Sequence, residues 1–440
     1  MSNVRVDGEK KRILLINPPV YDFRLDWARW HQPCGLLQVG SVLKDDHDVR
    51  LIDCLLPLKG KQTQRKKLDA ISAEEIALAR WHFGWSWDQI DSKVQELKEE
   101  NWIPDVIYIT CMMTFWWEAT RDLVKHLREV WFPNTRIVLG GVYPTYAPEH
   151  AKKNIRGVHF DLEIGKKAKR RATEIGLYDR TPRFAGIFLY RPVSVHAVVA
   201  GIEKKVRRGV REFAFFDEEI PGPVPERFAQ VLDLIVERGL DIKLRALGNI
   251  SPTSLTADLV RKMSIAGFRQ IFFKDTIVSK TNADDYLAGY EQAVDLLFQH
   301  GQYKPRTEDI TAMVLVGVPG ENIENVAERL MRLSHIVGSV NLVPFQPTPS
   351  TEIYEQHKEY LDQIPLEFQN GKLFPFAKYN HATFAVYQEL TRLAALLNSK
   401  YHSTTFDFLA DDEIAQMARK SIAEETWQPK LKETIPLILR

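Results

Sequence analysis

Cysteine, net charge and long apolar runs are all scarce in this chain, and each scarcity closes off a class of protein. The three cysteines, Cys34, Cys54 and Cys111, are too few and too scattered for a disulfide framework. Nor do they have the close spacing that presents several thiolates to one metal ion. Basic and acidic residues nearly cancel, 59 against 58, so no overall field draws in nucleic acid or an anionic membrane. The densest basic run, Lys166–Lys167–Ala168–Lys169–Arg170–Arg171, reads as a solvated linker. No stretch approaches the roughly 20 apolar residues that span a bilayer. The start lacks the apolar core and cleavage site of a secretory leader. The expectation is a cytoplasmic protein with no membrane span and no nucleic-acid partner.

What is present is a long alternation of apolar runs and amphipathic segments. At 440 residues the chain is too long for one ordinary core and suggests two or three domains. In the first third, "RILLINPP", "DVRLIDCLL", "DVIYITC" and "RIVLGG" read as buried strands. "GLLQVGSVLK" and "WEATRDLVKHLREV" read as helices between them. Continuous apolar strands alternating with helices predict an α/β domain over 10–155, its parallel sheet covered on both faces. A helix–turn–helix insertion at about 70–102 is predicted from two capping boxes, Ser72 with Glu75 and Ser86 with Gln89.

In such sheets ligands sit beyond the carboxyl ends of the strands. The loops "NPPVYDF", "CMMTFWWE" and "GGVYPTYAPEH" are therefore expected to converge on one site. Gly140 and Gly141 allow a ligand to approach the backbone. Met112, Met113, Phe115, Trp116 and Trp117 form a large apolar surface at the rim. Such a surface either holds a flat cofactor or packs against a neighbouring segment.

These same stretches, together with the "PCGLLQVG" helix start, resemble the cobalamin-binding domain that precedes many radical S-adenosylmethionine enzymes. The resemblance implies a Rossmann-like, flavodoxin-like fold with a corrin lying across the three loops. Asn17, Pro18 and Val20 would flank one edge of the ring, with Gly35 nearby. Met113, Thr114 and Trp116 would lie under it, and Gly140, Gly141, Val142 and Tyr143 would line the nucleotide tail. The Asp-x-His-x-x-Gly signature of His-ligated cobalamin domains is absent, since the loop reads Asn17–Pro18–Pro19–Val20–Tyr21–Asp22. The implied cofactor is base-off cobalamin with no histidine from the protein on its cobalt.

After a linker at 156–183, six apolar runs recur with a period of roughly 30 residues, the length of a βα unit. They are "FAGIFL", "REFAFFD", "DIKLRALGN", "RQIFFKD", "DITAMVLVGV" and "VNLVPFQP". Six units fall short of a closed eight-fold barrel and predict a partial (β/α)6 TIM-type barrel over 184–354. This region resembles the barrel of radical S-adenosylmethionine enzymes. In that family a Cys-x-x-x-Cys-x-x-Cys loop follows the first strand, where three thiolates hold a four-iron cluster. Here "FAGIFL" runs almost directly into Tyr190–Arg191–Pro192, with no cysteine in between. The expectation is a degenerate member without an iron–sulfur cluster.

Binding of S-adenosylmethionine itself stays open. The Gly317–Val318–Pro319–Gly320 turn matches the family segment that contacts adenine, and equally suits a plain strand ending. Asp217, Glu218 and Glu219 stand where the family places polar contacts, and three carboxylates could also do acid–base work, but a solvated helix N-terminus is the plainer reading. Lys274 and Asp275 read as members of ion pairs. His31, His82, His150 and His196 are isolated, with His150 nearest to the cofactor loops. Residues 355–440 read as a helical C-terminal region.

The function expected from this pattern is a cobalamin-binding, radical-SAM-like protein without radical chemistry, acting as a carrier, a sensor or a partner of an intact relative. A cobalamin-dependent methyltransferase using polar displacement is the first alternative. A structural protein with relic cofactor sites is the second.

Overall fold

The computed structural model describes residues 10–23, 33–58, 63–68, 71–73, 76–161, 164, 184–187, 194–215, 217, 219–222, 224–246, 250–275, 283–303 and 310–398. The basic run 166–171, the junction 190–192 and the segment 399–440 lie outside the described residues, as do His31 and Glu218. The chain forms two compact units, each an α/β structure built on a parallel sheet. Unit 1 comprises 1–179 together with 346–375, and unit 2 comprises 180–345 together with 376–440. A segment from beyond the second sheet therefore belongs to the first unit.

In unit 1, β1 (Arg12–Asn17) is followed by the short β2 (Val20–Asp22) and then by β3 (Asp48–Asp53). Next come β4 (Arg65–Lys67), β5 (Ile71–Ala73), β6 (Ile76–Leu78) and β7 (Trp81–Phe83). The unit continues with β8 (Val106–Thr110), β9 (Arg136–Gly140) and β10 (His159–Phe160). The main sheet has the order β10-β9-β8-β1-β3, and all its described pairings are parallel. The order reverses between β1 and β8, where crossovers leave toward opposite sides and a crevice opens at the strand ends. Leu14, Ile16, Ile107, Ile109, Ile137 and Leu139 fill one continuous core under that crevice.

The insertion departs from the expected helix pair. Ser72 lies in the hairpin β5–β6, so the Ser72–Glu75 capping box does not start a helix. β2, β7 and β4 form a small antiparallel sheet instead. Ser72 pairs with Ala77 across the hairpin, so a local strand pairing outweighs the local capping signal here. The second box is realised: Ser86 accepts from Gln89 N, and the Gln89 side chain accepts from Ser86 N, opening the helix Trp87–Glu99.

In unit 2 the strands β11 (Phe184–Ile187), β12 (Glu212–Phe215), β13 (Lys243–Arg245), β14 (Phe268–Phe273), β15 (Ile310–Val316) and β16 (Ser339–Pro344) pair in sequential order. All five pairings are parallel. Right-handed crossovers in unreversed order put every connecting helix on one face. Ile271, Phe273, Ala312 and Val314 are accordingly buried, while Gln270, Phe272, Met313 and Leu315, on the opposite face, are half-buried. At the β16 edge, the Asn398 amide pairs with both backbone groups of Val340 at 2.8 Å, replacing a neighbouring strand. Asn398 ends the helix Phe384–Asn398, within the region read as helical.

Candidate functional site at the switch point of unit 1

The crevice in unit 1 is framed by the ends of β1, β3, β8 and β9. Asn17, the last residue of β1, donates its amide to Asp53 at the end of β3 (2.7 Å), and both side chains are buried. Pro18 and Val20 follow, also buried. The β8 and β9 loops are stitched together by Cys111 N to Gly140 O (2.9 Å) and Tyr143 N to Cys111 O (3.1 Å). Gly141 sits between them at φ +99°, ψ −172°, a conformation open essentially to glycine alone. A Cβ there would collide with the Cys111 backbone. Close packing of the two loops is thus sufficient reason for this glycine.

The aromatic loop behaves differently from the cofactor platform expected of it. Thr114, Phe115, Trp116 and Trp117 are all buried. Trp116, expected under the ring, lines the strand-end cleft and is buried, donating its indole N–H to Asp22 Oδ2 at 3.0 Å. Asp22 is wholly buried and also accepts from Phe23 N (2.6 Å), Asn370 Nδ2 (3.0 Å) and Lys372 Nζ (3.1 Å). Trp117 donates to Glu367 Oε2 at 3.2 Å, and Phe23 packs its ring near Phe368. Most of the apolar loop is therefore covered by the segment 366–372, the neighbour-packing alternative. Thr114, expected under the ring, is buried with it.

Tyr143 also lies inside the fold. It is fully buried and hydrogen-bonds His150 Nδ1 at 2.8 Å, with Trp117 edge-on to the same imidazole. Burial lowers the His150 pKa, the Glu367 carboxylate opposing and Lys153 assisting. Neither the indole of Trp116 nor the phenol of Tyr143 faces solvent. The cleft between β1 and β8 has a volume of about 20 Å³, lined by residues that include Asn17, Pro18, Val20, Cys111, Trp116 and Thr120. That is room for about one water molecule.

What remains open is a rim of apolar side chains. Leu58 after β3, Met112 after β8, and Val142 and Tyr146 after β9 are exposed by 48%, 41%, 36% and 39%. Met113 is half-buried, and Gly35 and Gly140 have open space where a Cβ would stand. All four stand on loops that follow strands of the same sheet, β3, β8 and β9.

The thiols contribute little chemistry. Burial pushes the Cys111 pKa up to about 12, and its thiol donates to Met113 O at 3.4 Å. Burial raises Cys54 as well, with Asp53 adding to the shift. Cys34 is exposed. Thiol-reactive disulfide reagents should therefore label Cys34 readily in the native protein, and Cys54 and Cys111 only with unfolding. Peptide mapping of the labelled cysteines reads this directly. Rapid labelling of Cys111 in the folded chain would contradict it.

In unit 2 the residues read as cosubstrate contacts are engaged within the fold. Gly317 N donates to Glu321 Oε1 (2.6 Å), and Gly320 N to Asn380 Oδ1 (2.7 Å). Asn380 also donates to Val318 O, and Tyr387 OH to Glu321 Oε1. The turn is clamped by its own chain. Asp217 and Glu219 lie in a loop rather than at a helix N-terminus, since the next helix starts at Pro225. Lys274 pairs with Glu219 at 2.5 Å and Asp275 with Arg329 at 3.6 Å, as read from the sequence.

Burial raises the Glu321 pKa, partly offset by the Tyr387 and Gly317 hydrogen bonds and by Arg329. A carboxyl whose folded pKa lies above its unfolded one stabilises the fold most below the unfolded value. That contribution fades as the pH rises through the folded value. Its Oε2 has no partner among the described residues. Between the ordinary glutamate range and neutrality, wild-type stability should therefore fall relative to that of E321Q. Urea melts at pH 4 and pH 7 measure the difference. A wild type that gains on E321Q as the pH rises would refute the assignment.

Among the described residues, no group of three or more His, Cys, Asp or Glu side chains is arranged to hold a metal ion. No helix there is long and apolar enough to cross a membrane. No protein-family model matches the chain, and no curated protein matches it significantly.

Proposed function

We propose that this chain is a cobalamin-binding protein that does no radical chemistry of its own. In this reading unit 1 is a flavodoxin-like cobalamin domain, and its 2-1-3-4-5 strand order supports the assignment. Unit 2 is a partial (β/α)6 barrel of radical-SAM type, supported by six parallel strands in sequential order. The observation that carries the proposal is the set of exposed apolar side chains Leu58, Met112, Val142 and Tyr146 on the loops after β3, β8 and β9. A corrin ring is broad, flat and largely apolar at its faces, and this rim offers it a matching surface without moving the core.

The residues present fit the ring. Met112, Met113 and Val142 would contact its face, and Gly35 and Gly140 leave room beside it. No protein side chain is assigned to the cobalt. Bound cobalamin supplies a cobalt centre able to accept and release a methyl group. The chain's part is to hold that centre on the rim, as a carrier, a sensor or a partner of an intact relative. The proposal includes no iron–sulfur cluster, since no cysteine lies between 184 and 440 and the three of the chain stand far apart in sequence. S-adenosylmethionine is left out as well, because the Gly317 and Gly320 N–H groups are already bonded.

Loading the full chain with hydroxocobalamin, followed by desalting, tests the proposal. Cobalt should be retained, and M112D and V142D should release it. Both substitutions are at exposed positions, where fold stability changes by only about 0.5 kcal/mol or less. No retention by the wild type would favour a second reading, an assembly protein with a relic site. Coverage of the aromatic loop by the segment 366–372 supports that reading.

A further inference from the structure

Unit 2 has an apolar hollow at the end of its sheet where β13 and β14 begin, and we infer that a second copy of this chain fills it with its own Ile265 in a two-fold dimer. The helices Pro225–Glu237 and Ala257–Ile265 both end there. Each buries one apolar stripe, which ends in Ile235 in the first and in Met263 in the second. Val236 and Ile265 lie off those stripes and are exposed by 44% and 69%, Ile265 the most of any large apolar side chain among the described residues. Between the two helix ends is a hollow of about 260 Å³, lined by residues that include Ile235, Val236, Leu240 and Ile265. One wall is firm, because a Cβ on Gly267 would stand 2.3 Å from the Ile242 carbonyl oxygen. The other is set by the turn after the first helix, where Gly239 N donates to Val236 O at 2.9 Å and Leu240 N to Ile235 O at 3.2 Å. The hollow is thus part of the fold. A protruding side chain on the lip of a hole is self-complementary about a two-fold axis, each copy's Ile265 entering the other's hollow.

Charge says which partner fits. Neighbouring ion pairs are closed within the chain, Lys262 with Asp233 at 2.6 Å and Arg238 with Glu203 at 3.0 Å. Asp241 and Arg269, which also line the hollow and are exposed, belong to neither pair. An acid and a base on one lip match a surface that presents a base and an acid in the reverse order. A two-fold copy does so by symmetry, Asp241 facing the partner's Arg269 and Arg269 facing the partner's Asp241. Exposed pairs of this kind add little affinity and mainly set register and the choice of partner. Burial of Ile265 and Val236 supplies the driving force. A contact this small makes a weak, concentration-dependent dimer.

Sedimentation velocity of the full-length protein over a wide range of concentrations tests the inference. The wild type should shift from the monomer to the dimer sedimentation coefficient as concentration rises, and I265D should stay monomeric throughout. D241R and R269D, each presenting like charges to its own copy, should also stay monomeric alone. Mixed in equal amounts they should dimerise again, since one chain then offers two bases and the other two acids. All three positions are exposed, where substitutions disturb the fold least. A wild type that stays monomeric at every concentration, dimers that persist in both charge variants, or a mixture that fails to associate would each overturn the inference. A monomeric wild type with a different protein or a small molecule seated against Ile265 would assign the hollow to that occupant and overturn it as well.

Discussion

Alanine at position 141 is expected to unfold unit 1 or leave it barely stable. Gly141 holds a backbone conformation that side chains with a Cβ reach only under strain. The added methyl would also meet the Cys111 carbonyl oxygen, with Cys111 N only 2.8 Å away. Backbone strain and overpacking together cost roughly 2–6 kcal/mol, a large share of a typical domain's stability. Neither partner yields cheaply, because the collision is with main chain. The neighbouring G140A is the control: its Cβ would meet nothing within 4 Å. Thermal melts should show G141A far below wild type and G140A close to it. Equal melts would mean that the β8 and β9 loops are not packed as described.

Asn in place of Asp22 is expected to release the segment 366–372 from the aromatic loop. The carboxylate is wholly buried and accepts from a backbone N–H, an indole, an amide and the Lys372 ammonium. An amide retains the shape but removes the charge that the mostly buried Lys372 ammonium faces at 3.1 Å. Breaking a buried pair from one side costs about 3–5 kcal/mol. The pair K372M with D22N removes both charges, and should recover a good part of that loss. Hydrogen exchange gives the readout. Amides of residues 366–373 and of the Thr114–Trp116 turn should lose protection together in D22N. Unchanged protection in both would contradict the role given to Asp22.

The sheets were legible in the sequence because each strand is a nearly continuous apolar run bounded by breakers. "RILLINPP" and "DVIYITC" became β1 and β8, and the six later runs became β11 to β16. The Ser86–Gln89 box was legible because both halves of its signal are local. Ser72 and Glu75 carried the same signal, but Ser72 was recruited into the β5–β6 hairpin. The loop ends around Asn17, Cys111 and Gly140 converge as the strand pattern implied.

The fate of Trp116 was not legible. Its partner Asp22 lies 94 residues away, and Asp22 is completed by Asn370, a further 348 residues along the chain. Nothing in the composition or period of "VYDF" announces a buried carboxylate, since its donors come from three separate segments. The inward turn of Tyr143 toward His150 escaped for a related reason. Exposure of a loop aromatic is decided by what packs around it, which the local pattern of "GGVYPTYAPEH" does not state.

The central claim is that the rim of unit 1 carries a corrin while the chain holds no iron–sulfur cluster. Anaerobic reconstitution with iron, sulfide and hydroxocobalamin together, followed by desalting, metal analysis and an absorption spectrum, tests it most directly. The account predicts stoichiometric cobalt with a corrin spectrum and no retained iron. Retained iron and sulfide with the broad absorption of a cluster, or protein emerging without cobalt, would contradict it.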